Sequence, residues 1–229
     1  MVVPEGPDGL KTPEGGSNSR CARIYLARHG RTALNASGVL RGHLDVPLDS
    51  VGHHQAFLLA AALGGPKPSA IISSRLRRAV ETAGPLAHLT GLVTRLDERL
   101  IDRDYGAWAG ISANDVIAQW GSLDAAPGVE AAAEVAKRAV AALSDIADEA
   151  WGSVAVAVSH DAVNRIALAT LDPSLGHPED VLQETGCFNI LECHQGAMGR
   201  REWLVLGVNR VPPEVGELFS PTPAPPLLQ

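Results

Sequence analysis

The stretch 153–160, SVAVAVSH, decides the fold. Every residue from Val154 to Val158 is apolar, so a strand here has no polar face and must be covered on both sides, as in a largely parallel sheet. It then ends abruptly in Ser159, His160 and Asp161. Working outward, RIYLA (23–27) and SAIISS (69–74) read as strands of the same kind, and LVTRL (92–96) as a third. Helical patterns lie between them. SVGHHQAFLLAAAL (50–63) follows Asp49 as an N-cap and stops at Gly64, Gly65 and Pro66. Leu76 to Thr90 is a second helix, in which Pro85 lacks the amide to bond back to Glu81 and predicts a kink. Ala131 to Ala150 places Val135, Ala139, Ala142, Leu143 and Ile146 on one face, and Ala162 to Leu171 follows the opening stretch. CFNILEC (187–193) and EWLVLGV (202–208) close the chain as strands. Strands alternating with helices predict the α/β class, with a mostly parallel central sheet covered by helices.

The chain has 229 residues, 45% hydrophobic and 20% charged, enough for one sizeable core. One domain over 22–210 is expected, with a flexible tail at 1–21 and a Pro-rich tail at 211–229, because neither end can bury enough apolar surface to offset its ordering entropy. The net charge of −7 argues against nucleic acid or an anionic membrane as partner. No run approaches the ~18 apolar residues of a membrane span, and residues 1–20 lack the apolar core of a signal peptide, so a cytoplasmic protein is expected. Three cysteines without a Cys-x-x-Cys pair fit neither a disulfide framework nor a cysteine zinc site.

In such sheets, sites gather at the carboxyl ends of strands. RIYLA runs into Arg28, His29, Gly30 and Arg31; AIISS runs into RLRRAVETA; VAVAV runs into Ser159, His160 and Asp161. Cations and an imidazole packed this closely repel one another unless an anion sits among them. Guanidinium forks suit bidentate binding of phosphate or carboxylate, and a phosphoryl group is favoured because histidine can carry it covalently. The reaction also needs an acid to protonate the leaving alkoxide.

LARHGRTALN, GHLDVPLDSVGHHQA, SSRLRRAVETA, LDERLIDRDYGAWAG and VAVSHDAVNR, in that order and over roughly Arg23 to Glu192, resemble the motifs of the histidine phosphatase superfamily, phosphoglycerate mutase-like branch. The resemblance implies a three-layer α/β/α sandwich and no required metal or cofactor. It implies His29 as the nucleophile, Arg28 as the phosphate ligand beside it, Arg78 as the second arginine and His160 as the second histidine. Asn35 and Thr32 fall at positions near the phosphate, while Arg75 and Arg77 fall outside the family position. The sequence departs from the pattern at the acid. Asp102 stands where Glu is usual, Ala109 replaces a second carboxylate, and Asp161, after the second histidine, resembles the donor of the acid phosphatase branch. Asp102 is the favoured donor from its YGAWAG context.

The implied activity is hydrolysis of a small phosphorylated metabolite, with mutase transfer or phospho-ligand binding as alternatives. A homodimer is compatible with the sequence. Asp161 has a second reading as a helix cap, and Asp102 as an ion-pair partner of Arg99 or Arg103. His43, His53 and His54 lack metal-ligand spacing and read as exposed or half-buried. Arg41 reads as a rim charge able to meet a second anionic group of the substrate. Tyr105, Trp108 and Trp120 read as packing or wall residues.

Overall fold

A computed structural model of the chain describes residues 21–35, 37–196 and 200–214. The elements are β1 (Ala22–Arg28), α1 (Ser50–Gly64), β2 (Ala70–Ser73), α2 (Arg77–Thr90), β3 (Thr94–Leu96), α3 (Ala113–Trp120), α4 (Ala132–Glu149), β4 (Val154–Ser159), α5 (Asp161–Leu171), β5 (Phe188–Gln195) and β6 (Arg201–Arg210). The six strands form one sheet in the order β3-β2-β4-β1-β5-β6. β4 pairs in parallel with both β1 and β2, β2 pairs in parallel with β3, and β5 and β6 close the sheet antiparallel. Both expected tails fall largely on 1–20 and 215–229, outside the described residues.

The alternation within β4 explains its two covered faces. Ala155 and Ala157 join the core layer of α4 and α5 with Leu143, Ile146, Val163 and Ile166. Val156 and Val158 join the layer of α1 and α2 with Leu59, Leu63, Ala83 and Leu86. The result is a three-layer α/β/α sandwich. Small alanines on one face leave room for the larger side chains of α4. Fully burying a leucine such as Leu143 contributes about 1.5–3 kcal/mol, and truncating it to alanine would cost about 2–5 kcal/mol.

Most expected boundaries hold to within one or two residues. Asp49 caps α1, its Oδ1 accepting from the Gly52 amide at 2.8 Å. The α4 face runs as read, with Val135, Ala139, Ala142, Leu143 and Ile146 all buried. Pro85 lies inside α2, and β3 shortens to three residues. The three cysteines are free thiols. Among the described residues, no helix is long and apolar enough to cross a membrane.

A smaller core of Leu40, Tyr105, Val116 and Ala126, with Trp108 packed against it, forms beside the carboxyl ends of the strands. Trp108 meets Trp120 edge-on at 6.1 Å and donates from its indole to the Pro127 carbonyl at 2.9 Å. Backbone bonds tie this excursion to the loop after β1: Leu40 N–H donates to the Ile111 carbonyl at 2.8 Å, and Gly110 N–H to the Leu40 carbonyl at 2.7 Å. The aromatic residues therefore pack, holding the loop that contains Arg41.

Candidate active site

Parallel register brings the two histidines together. Arg28 of β1 stands opposite Ser159 of β4, so the next residue of each strand, His29 and His160, falls at the same level. The His29 amide donates to the Ser159 carbonyl at 3.0 Å, and the two rings lie 5.2 Å apart between centroids. On the other side of β4, the Ser74 amide donates to the Val158 carbonyl at 2.9 Å, which puts Ser74 Oγ 2.8 Å from His160 Nε2. Helix α2 starts three residues later and delivers Arg78 from its first turn.

The nucleophile position is locked by the backbone. His29 Nδ1 lies 2.6 Å from the Gly30 carbonyl, which can only accept, so Nδ1 carries the proton and Nε2 keeps its lone pair. Gly30 is held in turn: its amide donates to Thr82 Oγ1 at 2.9 Å, and that hydroxyl donates to the Arg78 carbonyl at 2.7 Å. Gly30 also lies against α1. A Cβ there would meet the Gly52 carbonyl oxygen at 2.5 Å, so only glycine lets the strand end approach the helix this closely.

The charged groups are buried around it. Arg78 is fully buried and donates to the Leu44 carbonyl at 2.7 Å, to the Gly42 carbonyl at 2.9 Å and to Asp102 Oδ2 at 2.9 Å. Asp102 Oδ1 accepts from the Arg103 amide at 2.9 Å, and Oδ2 lies 3.9 Å from His160 Nδ1. The expected partners Arg99 and Arg103 pair elsewhere, Arg99 with Asp97 and Asp145, and the buried Arg103 with Asp124 and the Glu130 carbonyl. Arg28 donates to the Gln183 carbonyl and lies 3.7 Å from Asp161 Oδ1. Asp161 is the first residue of α5, acidic in its first turn, and His160 at the N-cap position makes no side-chain capping bond. The Asp161 carboxylate instead pairs with Arg165 at 2.6 Å.

Thr32 and Asn35 lock each other, the Asn35 Oδ1 accepting from both the Thr32 amide and hydroxyl at 2.8 Å. Arg75 and Arg77 pair at the surface with Glu98 and Glu81. His53 and His54 are exposed on α1, and His43 Nε2 lies 3.0 Å from the Asp102 carbonyl, so these histidines do not gather around His29. Cys21, Glu192 and His194 bring ligand atoms within 4.8 Å of one another away from the strand ends, but Arg23 and His194 already occupy the two Glu192 oxygens.

Burial sets the proton affinities. It holds His29 well below the usual imidazole range, with the Arg78 and Arg28 charges adding to the effect. His160 is lowered in the same way by burial, Arg78 and His29. Burial pushes the Asp102 carboxyl upward against the opposing pull of Arg78. Burial thus works against the charged form of both imidazoles and of the Asp102 carboxyl, and for Asp102 the paired Arg78 works against burial.

Several buried nitrogens at this place have no partner among the described residues: His29 Nε2, His160 Nδ1, and the Nε atoms of Arg28, Arg41 and Arg78. An unpaired buried polar group costs about 1–3 kcal/mol, so the arginine Nε–H groups suit an anionic ligand that accepts from them, while His29 Nε2 offers a lone pair instead. Sequence reasoning missed Ser74 and Thr82, although both lie in the quoted motif around Arg78. It also missed Gln183, for which no signal existed, since it acts through its backbone carbonyl.

An α/β sandwich with two neutral histidines and buried arginines at its parallel strand ends defines a class of phosphoryl-handling protein. The chain belongs to the histidine phosphatase superfamily (branch 1), whose family profile matches residues 24–205. It is 42% identical over 93 residues to a glucosyl-3-phosphoglycerate phosphatase of Mycobacterium tuberculosis (strain CDC 1551 / Oshkosh), a match covering 41% of this chain and 42% of that relative's length. It is 31% identical over 175 residues to a probable phosphoglycerate mutase GpmB of Yersinia pestis (strain Pestoides F), covering 72% of this chain and 81% of that one. The native structure of a mycobacterial glucosyl-3-phosphoglycerate phosphatase superposes with a TM-score of 0.72 at 29% identity, covering 83% of this chain and all of that one (100%).

Proposed function

We propose that the protein hydrolyses a small phosphomonoester through a phosphohistidine on His29. The observation that carries this reading is the His29 Nδ1 contact with the Gly30 carbonyl, which leaves a buried and unpartnered Nε2 lone pair on a ring 5.2 Å from that of His160. Nε2 attacks phosphorus and the ester P–O bond breaks. Arg28, Arg78 and His160 take up the charge on the non-bridging oxygens. Asp102 gives its proton to the leaving oxygen, a role supported by its upward shift and its place between Arg78 and His160. The resulting carboxylate then takes a proton from water, which attacks the phosphohistidine and releases phosphate. Asp161 orients Arg28, and Thr32 and Asn35 fix the turn that follows the nucleophile.

Hydrolysis is favoured over mutase transfer by the segment from Trp108 to Ser159. Ahead of β4 it holds only α3 and α4, and of its two cations, Lys137 and Arg138, Arg138 is bound to Glu130. A small phosphorylated metabolite of the cytoplasm is the proposed substrate, a setting in keeping with three free cysteines. The test is phosphate release from an aryl phosphate in metal-free buffer with EDTA, together with trapping of an acid-labile phosphoryl label on the protein. Chelator-resistant turnover and a label, both absent in His29→Ala, are expected. Turnover that survives in His29→Ala would overturn the mechanism.

A further inference from the structure

The Arg28 guanidinium is anchored at two places, the Asp161 carboxylate at 3.7 Å and the Gln183 backbone carbonyl. The anchors differ in kind. Asp161 is partly exposed and shares its carboxylate with Arg165, whereas Gln183 is buried. A loop carbonyl can fix a cation only if the loop is itself fixed, and residues 182–187 belong to no helix or strand. Backbone bonds secure the far end of this loop: the Gly186 amide donates to the His29 carbonyl at 3.1 Å, and the Arg28 amide to the Cys187 carbonyl at 2.9 Å. Gln183 is secured through its side chain.

That side chain is clasped by Asn189 of β5. Gln183 Nε2 donates to Asn189 Oδ1 at 2.8 Å, and Asn189 Nδ2 donates back to Gln183 Oε1 at 2.9 Å. The orientation of the pair follows from its backbone neighbours. Asn189 Nδ2 also donates to the Leu26 carbonyl at 2.8 Å, which can only accept, and Asn189 Oδ1 accepts from the Asn209 amide at 2.9 Å, which can only donate. Gln183 Nε2 likewise meets the Leu182 carbonyl at 2.9 Å. The clasp therefore joins the loop to β1 two residues before Arg28.

Asn189 is out of character for its position. The buried row of β5 runs Asn189, Leu191, Cys193, and the last two belong to the apolar core. A buried amide in such a row is costly unless every polar atom is paired, and here each one is.

We infer that Asn189 is a positioning residue that acts through Gln183 on Arg28, setting where the guanidinium meets the phosphoryl group. This inference rests on the phosphatase reading above, in which Arg28 binds the non-bridging oxygens.

The test is a double-variant cycle on inorganic phosphate, read as an inhibition constant against aryl phosphate and as a dissociation constant by calorimetry. Asn189→Leu removes the clasp from the strand side. Gln183→Met removes it from the loop side, keeping the Gln183 carbonyl and leaving Asn189 its Leu26 and Asn209 partners, so it carries the test if Asn189→Leu does not fold. Each is made in wild type and in Arg28→Met. Phosphate affinity is expected to fall ~5- to 10-fold in the wild-type background and by less than ~2-fold once Arg28 is gone. A loss of the same size in both backgrounds, or unchanged phosphate affinity in folded Gln183→Met, overturns the inference. Calorimetry keeps the cycle readable if aryl phosphate turnover proves independent of His29, the result that overturns the phosphatase reading instead.

Discussion

Arg78 and Asp102 meet at 2.9 Å between Nη2 and Oδ2, and both side chains are shut off from solvent. The pair joins α2 to the segment after β3, so it fixes the acid relative to the phosphate-facing arginine. Burial raises the carboxyl while the guanidinium opposes it, and the proposed acid role of Asp102 depends on that balance.

Asp102→Asn removes that proton without removing bulk. The expected loss in kcat on an alkyl phosphate is ~10²- to 10⁴-fold, with a much smaller loss on an aryl phosphate whose leaving group needs no acid. Asp161→Asn, acting through Arg28, is expected to lower both substrates alike. The reverse pattern would make Asp161 the donor.

Breaking the buried pair from the other side leaves a carboxyl without its cation. Arg78→Met is expected to cost about 3–5 kcal/mol in urea unfolding. The double variant with Asp102→Asn should be less destabilised than the sum of the two single variants, because no unpaired charge remains. Additive effects would show that the pair contributes nothing as a unit.

His29 and His160 titrate below the ordinary value of 6.5 in the folded protein and near it in the unfolded chain. Below that pH the unfolded state binds protons that the folded state refuses. Stability is therefore expected to fall with falling pH, by up to about 1.4 kcal/mol per unit for each histidine. Asp102 works in the opposite sense, since a raised carboxyl contributes at low pH and its contribution is lost as pH rises through its folded value. Urea unfolding in phosphate-free buffer between about pH 5 and pH 6.5 should show a shallower slope in His160→Gln than in wild type. An unchanged slope would mean that His160 is not held neutral.

The approach of α1 to the strand end tests the geometry around the nucleophile. A Cβ on Gly52 would lie 2.0 Å from the Arg31 carbonyl oxygen. Gly52→Ala is expected to destabilise by about 1–3 kcal/mol and to lower kcat by displacing the 29–31 turn. Gly65→Ala is the control. It has helical dihedrals (φ −58°, ψ −44°) and nothing within 4 Å of the added methyl, so it should stabilise by about 0.4–1 kcal/mol.

The sequence by itself determined the strands and helices whose cause is local. The apolar run of Val154–Val158 required two covered faces, Asp49 capped α1, and the spacing of Val135 to Ile146 chose the buried face of α4. It also named the residues that gather at the strand ends, because strand ends in such sheets are where polar side chains can converge. Tertiary structure decided who pairs with whom. Asp102 meets Arg78, 24 residues earlier, rather than its neighbours Arg99 and Arg103, and Arg28 is held by a carbonyl 155 residues away. The proton on His29 Nδ1 follows from the carbonyl facing it. Partner choice and proton affinity depend on distance and on exclusion of water, and neither quantity exists until the β1, β2 and β4 ends are brought into register.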